Sequence, residues 1–301
     1  MDVSGEWYWP TTDGKCQLYV RELGPEDGEP VIVLHGGAGA EHSYLLEAVR
    51  PLAETRRVVL YDQRGCLRSP APIDSVSLDT YVDDLDNLRA DLGFESVDLM
   101  GHSYGTHLAL WFARLRPGRA RRLALVSPPR ASDRLDEEEQ AICKRMGVEV
   151  NAYMQRPELF AELDRLGFRQ VDPERHNAKQ ATHFWRIHFA RANIHDISRW
   201  RHMEGGQAFY NDDVGRRLDE SIPRDDRDLR DVVKDHPHPI HIIQGDHDFC
   251  DFGPTWSRRW FSGLDHVTLT VVNEAGHNLW IDQPHQWSQA LTRALGGSSA
   301  R

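Results

Sequence analysis

Gly101-His102-Ser103-Tyr104-Gly105 sets a serine between two flanking glycines. Serine is a weak nucleophile until a base takes its proton, and this spacing suits a turn too tight for side chains at the outer positions. Val97-Asp98-Leu99-Met100 before it reads as a buried strand, and Thr106 to Leu115 after it as a helix. The Ser103 hydroxyl is therefore expected at a strand end, above a helix N-terminus. A second glycine cluster, His35-Gly36-Gly37-Ala38-Gly39, follows the apolar run Val31-Ile32-Val33-Leu34. The N–H groups of Gly37 and Tyr104 are expected to bind a developing oxyanion, each such donor being worth about 3 kcal/mol in the transition state. A phosphate-binding loop fits less well, because the chain has neither a GxGxxG nor a GK[ST] pattern.

A serine nucleophile needs a histidine base and an orienting carboxylate, which follow it in the chain order Ser, acid, His. Gln244-Gly245-Asp246-His247-Asp248 leaves one apolar run, and Glu274-Ala275-Gly276-His277-Asn278 leaves another. His277 is the expected base. Asp246, Asp248 and Asp251 compete as the acid, and Asp248 is favoured because the third position past Gly245 clears the strand end.

These residues need a common scaffold. Short strands are expected at 15–21 and 31–34, then at 58–61, 97–100 and 123–126, and finally at 240–243 and 267–272. Helices separate several of them; the clearest spans about 78 to 92, with Leu78, Tyr81, Val82, Leu85, Leu88 and Leu92 on one stripe. Strands alternating with helices imply crossover connections and a mostly parallel α/β sheet. The alternation breaks between 128 and 237, a stretch that reads as helices throughout. The expected organisation is a core of residues 1–127 and 238–301, with 128–237 as a helical cap over the sheet's carboxyl edge, where open α/β folds bind ligands.

Composition narrows the partners. At 301 residues with 40% hydrophobic content the chain can bury a proper core, and its net charge of −11 disfavours nucleic acid and anionic membrane. No apolar run approaches the roughly 20 residues of a membrane span. The N-terminus has no secretion-signal pattern, and Cys16, Cys66, Cys143 and Cys250 form no CxxC pair, so a cytoplasmic protein with reduced thiols is expected. His236, His238, His241 and His247 are dense but lack metal-ligand spacing, and no metal is expected.

The motifs His35-Gly36-Gly37, Asp62-Gln63-Arg64-Gly65-Cys66, Gly101-His102-Ser103-Tyr104-Gly105, Gly245-Asp246-His247-Asp248 and Ala275-Gly276-His277 together resemble the proline iminopeptidase branch of the α/β-hydrolases. The resemblance covers about residues 15–127 and 238–295. It implies the α/β-hydrolase fold, release of an N-terminal residue from a small or short-peptide substrate, and no cofactor. It also implies Asp248 as the acid, and Asp62 and Arg64 as braces of the oxyanion loop beside His35 and Gly36. The chain departs from the family pattern at Ala38, where proline is usual, and at Leu67, where a second glycine is usual. Family caps carry glutamates that hold the substrate amine, in a Trp-Glu pair and elsewhere; here Phe184-Trp185-Arg186 has arginine at that place.

The segment 128–237 holds 22 acidic and 19 basic residues, so it is not a strongly acidic lid. Trp185 and Arg186 are candidate substrate contacts, Glu204 is a candidate amine receptor, and Phe184, Trp200, Phe209 and Tyr210 are candidate pocket lining. The leading expectation is a serine hydrolase of small amides or esters working through an acyl-enzyme. A carboxylesterase, lactonase, C–C bond hydrolase or acyl transferase fits the same motifs, and so does a non-catalytic receptor on this fold.

Overall fold

A computed structural model describes residues 5–203 and 210–296. Eight strands form one sheet: β1 (Gly5–Pro10), β2 (Gln17–Leu23), β3 (Pro30–Leu34), β4 (Arg57–Tyr61), β5 (Val97–His102), β6 (Ala120–Val126), β7 (Ile240–Gly245) and β8 (Val267–Val272). Their order is β1-β2-β4-β3-β5-β6-β7-β8. The first three in that order pair antiparallel and every pair from β4 onward is parallel, with the strand order reversing around β3. The sequence reading missed β1. Its alternation of exposed Glu6 and Tyr8 with inward Trp7 and Trp9 is a period-two signal, and Pro10 closes it at an edge where no ladder donor is needed.

Alternate residues of the central strands point to opposite faces, so the sheet carries two apolar clusters. One gathers Ile32, Leu34, Val59, Leu99, Leu123 and Ile242 under helices 78–91 and 104–115. The other gathers Val31, Val33, Val58, Met100, Ala124 and Ile243 under helices 46–53 and 284–295. The helix expected near 78 to 92 runs Leu78–Asp91 and starts in a capping box, with Ser77 and Thr80 exchanging hydrogen bonds.

Between β6 and β7 the chain is helical, with helices Glu137–Met154, Pro157–Arg165, Ala178–Asn193, Asp212–Ser221 and Arg230–Asp235. Among the described residues, the buried apolar side chains of this insertion join the two clusters of the sheet. Leu159, Leu163, Ile187, Ile194 and Trp200 belong to the second cluster, and Val214, Leu218, Leu229 and Val233 to the first. Its last helix, Arg230–Asp235, packs against helices 104–115 and 255–261, and the Val233 carbonyl accepts a hydrogen bond from His266. Among the described residues, no helix is long and apolar enough to cross a membrane.

Candidate active site

Ser103 sits between β5 and helix 104–115 with φ 53° and ψ −124°, a conformation a side chain rarely adopts. Such a backbone costs on the order of 1–3 kcal/mol and persists only where the surroundings enforce it. The flanking glycines are what permit it. A Cβ on Gly101 would stand 2.4 Å from the Gly105 carbonyl oxygen, and one on Gly105 would stand 2.2 Å from that of Leu34. The Ser103 N–H donates to Val126 O at 2.9 Å, tying the turn to β6.

His277 and Asp248 come from the loops after β8 and β7. His277 Nδ1 donates to Asp248 Oδ1 at 2.9 Å, and both side chains are buried. Asp248 is held in turn by the Cys250 N–H at 2.9 Å on Oδ1 and by Gln244 Nε2 at 2.7 Å on Oδ2. The two competing carboxylates are engaged elsewhere. Asp246 accepts from His247 Nδ1 and the Ala275 N–H, while Asp251 accepts from the Trp256 N–H and from both the N–H and hydroxyl of Ser257. Asp251 thus caps helix Thr255–Phe261, and burial lifts its carboxyl to about 6.

The base is joined to the elbow through its backbone. The His277 carbonyl accepts from the Ser127 hydroxyl at 2.8 Å, and His102 Nε2 lies 3.2 Å from the same oxygen. Hydrogen bonds between nucleophile and base are often long before substrate is bound.

The glycine loop 35–39 lies directly against Ser103. A Cβ on Gly36 would be 2.7 Å from Ser103 Cβ, and Gly37 has φ 56°. Tyr104 is the first residue of its helix, so its N–H has no acceptor within that helix. His35 Nε2 accepts from the Gln63 N–H, which leaves the proton on Nδ1 to bond Gly36 O. Asp62 accepts from His42 Nδ1 at 2.6 Å, from the His42 N–H and from the Arg68 N–H, and so steadies the loop's far end. Arg64 does not touch that loop. It pairs with Asp84 at 2.7 Å and Asp13 at 2.8 Å, bracing the N-terminal hairpin against helix 78–91 instead. Sequence reading had no means of finding His42 or Phe249, whose ring lies 4.7 Å from that of His277.

Part of the insertion reaches this edge. The Asn211 N–H donates to Gly39 O at 2.9 Å, and the Asn278 N–H donates to Asn193 O at 2.7 Å. Tyr210 lies beside Gly37. Trp185 and Arg186 lie on the helix Ala178–Asn193. They stand eight and seven residues before Asn193, about 12 and 10 Å along the helix axis. The Trp185 ring is 62% exposed, edge-on to Phe184 and tilted against His188. Trp200 is fully buried in the second cluster, and Phe184 packs against that cluster. Glu204 and Phe209 lie outside the described residues.

Two groups of side chains among the described residues have metal-capable atoms close together. Glu41, His42 and Asp62 form one, completed by Arg68, whose Nη1 donates to Glu41 at 2.8 Å; Asp248, Cys250 and His277 form the other. Of the histidines of 236–247, the His236 and His238 rings meet at 5.8 Å, away from His247. His236 is 2.6 Å from Arg121 O, whereas His247 packs against His195 and bonds Asp246.

Residues 29–284 match the model of the alpha/beta hydrolase fold family. A proline iminopeptidase of Clostridioides difficile (strain 630) is 32% identical over 302 residues, covering 97% of this chain and 98% of that one. A proline iminopeptidase of Heyndrickxia coagulans is 35% identical over 133 residues, 44% of this chain and 46% of that one. Among solved structures, a proline iminopeptidase-related protein from Thermus thermophilus superposes with a TM-score of 0.66 at 23% identity, over 97% of both chains. The naproxen esterase of Bacillus subtilis superposes with a TM-score of 0.60 at 18% identity, over 97% of this chain and 91% of that one. The last two likenesses are of fold. The chain belongs to the α/β-hydrolase fold family. Within it, the chain is a serine hydrolase on a proline iminopeptidase-like scaffold.

Proposed function

We propose that Ser103 attacks the carbonyl carbon of a small ester or amide while His277 Nε2 takes its proton and Asp248 holds the imidazole. The negative charge of the tetrahedral intermediate falls to the N–H groups of Gly37 and Tyr104. His277 then gives the proton to the departing alcohol or amine, leaving an acyl group on Ser103 Oγ. Water, deprotonated by the same histidine, releases the acid and regenerates the serine. The observation that carries this reading is the 2.9 Å bond from His277 Nδ1 to Asp248, beside a serine in a strained turn. The insertion acts as the cap of this site, a role supported by its bonds at Gly39 and Asn278.

Small acyl esters are the preferred substrates over free prolyl amides. An ammonium in a closed pocket needs a carboxylate partner. Around the triad base, Asp246 and Asp251 are engaged as described, and Asp282 accepts from the N–H groups of Gly276, His195 and Asp196. The residue after the acid is Phe249, an apolar wall against His277. The aminopeptidase reading is favoured instead by the named activity of the relative at 32% identity. A panel of p-nitrophenyl acyl esters, prolyl p-nitroanilide and its N-acetyl derivative decides between them. Efficient cleavage of the free prolyl anilide, abolished by Glu204→Gln, overturns the ester preference. Failure to turn over any activated ester or anilide points to a receptor.

A further inference from the structure

Gly36, Tyr44, His102 and His277 are joined end to end beneath the nucleophile. The Gly36 N–H donates to the Tyr44 hydroxyl oxygen at 2.7 Å, and that hydroxyl lies 2.7 Å from His102 Nδ1. On the other side of the ring, His102 Nε2 lies 3.2 Å from the His277 carbonyl oxygen. All four residues are buried. The Tyr44 and His102 rings meet edge to face at 5.5 Å, Trp280 closes one side of His102 at 5.1 Å, and the His277 ring is 4.7 Å away.

The direction of every bond follows from its ends. A backbone N–H only donates, so Tyr44 accepts from Gly36; a carbonyl only accepts, so a neutral His102 carries its one proton on Nε2, and its bare Nδ1 takes the Tyr44 hydroxyl proton. His102 is then the neutral tautomer with its proton on Nε2, aimed at His277 O. Burial, reinforced by the neighbouring His277, holds the His102 imidazole well below its ordinary range, which favours this neutral form.

We propose that Tyr44 and His102 are positioning residues, forming a one-way hydrogen-bond relay that fixes the oxyanion loop relative to the backbone carrying the catalytic base. The inference rests on the hydrolase reading above. In the tetrahedral intermediate the oxyanion donors and His277 Nε2 must serve the same reacting centre. An error in their separation weakens the transition state while leaving the encounter with substrate untouched.

The test compares Tyr44→Phe, His102→Gln and the double variant with the wild-type enzyme, using p-nitrophenyl acetate and the rate of Ser103 labelling by a fluorophosphonate. Glutamine at 102 retains an N–H donor but offers no acceptor to Tyr44 in the same place. Each single change is expected to lower kcat at least about tenfold with KM within about twofold, and to slow labelling in parallel. The double variant should fall no further than the worse single, because a relay broken once has nothing more to lose. Multiplying losses, unchanged kcat, or a rise in KM alone would each overturn the relay. If Tyr44→Phe does not fold by circular dichroism, His102→Asn takes its place: asparagine supplies an acceptor near Nδ1 and no donor toward His277, and the same kcat loss is expected. The hydrolase reading is judged separately, by whether wild-type turnover and labelling exist and disappear in Ser103→Ala. The relay is judged by ratios among folded variants.

Discussion

Asp248 accepts the Nδ1 proton of His277 at 2.9 Å, while Asp246, two residues earlier, holds His247 at 2.7 Å. The same loop thus presents two carboxylates to two histidines, and the His277 ring packs 4.7 Å from His102, the neighbour of Ser103. Asp248→Asn is expected to lower kcat by up to about 10⁴-fold, because the amide selects the wrong imidazole tautomer. Asp246→Asn should stay within about tenfold of wild type. Steady-state kinetics with an activated ester separates them, and a steep loss at Asp246 with Asp248 spared would reverse the assignment.

Asp251 belongs to a different kind of experiment. Its carboxylate caps helix 255–261 through two backbone N–H groups and the Ser257 hydroxyl. Asp251→Ala should lower stability by about 1–2 kcal/mol while kcat in the folded protein changes little. Urea unfolding read beside turnover checks both halves of this expectation.

Ser103 should be the single site of fluorophosphonate labelling, and Ser103→Ala should remove both labelling and turnover. Intact-mass spectrometry of the treated protein gives the answer directly. An adduct persisting in the alanine variant would move the nucleophile elsewhere.

Two glycines should respond to alanine in opposite directions. At Gly105 the new Cβ would meet the backbone oxygens of Leu34 and His35 at 2.2 and 2.8 Å, with no flexible side chain to yield. Gly105→Ala is expected to cost about 3 kcal/mol or more, or to prevent folding. Gly147 lies inside helix Glu137–Met154 with nothing within 4 Å of its Cβ position, so Gly147→Ala should add about 0.5–1 kcal/mol. Thermal melting of both variants tests the contrast.

The Arg64 guanidinium holds the Asp13 carboxyl well below its ordinary 3.8. A carboxylate depressed in the folded state contributes stability that is present above its unfolded pKa and is lost as pH falls through the folded value. Asp13→Asn should therefore lower the melting temperature at neutral pH. The gap to wild type should narrow progressively once the pH falls below about 4. A gap that stays constant down to the most acid conditions would argue that the pair contributes no charge-dependent stability.

Some of this site could be read from the chain because the reasons are local. The glycines at 101 and 105 are required by one sharp turn, and the strand before them and helix after them are visible as composition. His277 follows from its place after a strand; the chain leaves Asp246, Asp248 and Asp251 in competition, and the folded chain pairs Asp248 with His277. Arg64 was harder, since its partners Asp13 and Asp84 come from a hairpin loop and a helix, and only the folded chain shows that it faces away from the oxyanion loop. Tyr44 and His102 are 58 residues apart, so no spacing rule joins them. Trp185 is hard to orient from the chain alone because a helix of mixed polarity does not announce which side meets the sheet, and its ring is turned outward.

The insertion between β6 and β7 sends side chains into both apolar clusters of the sheet, and that makes its fate inseparable from the fold's. A module with its own core melts by itself; the described apolar side chains of this one are shared with the sheet, so calorimetry should record one endotherm in which insertion and sheet are lost together. It also limits engineering. A segment transplanted here from a relative would have to bring replacements for Trp200 and Val233, because this segment seals the interior beneath it.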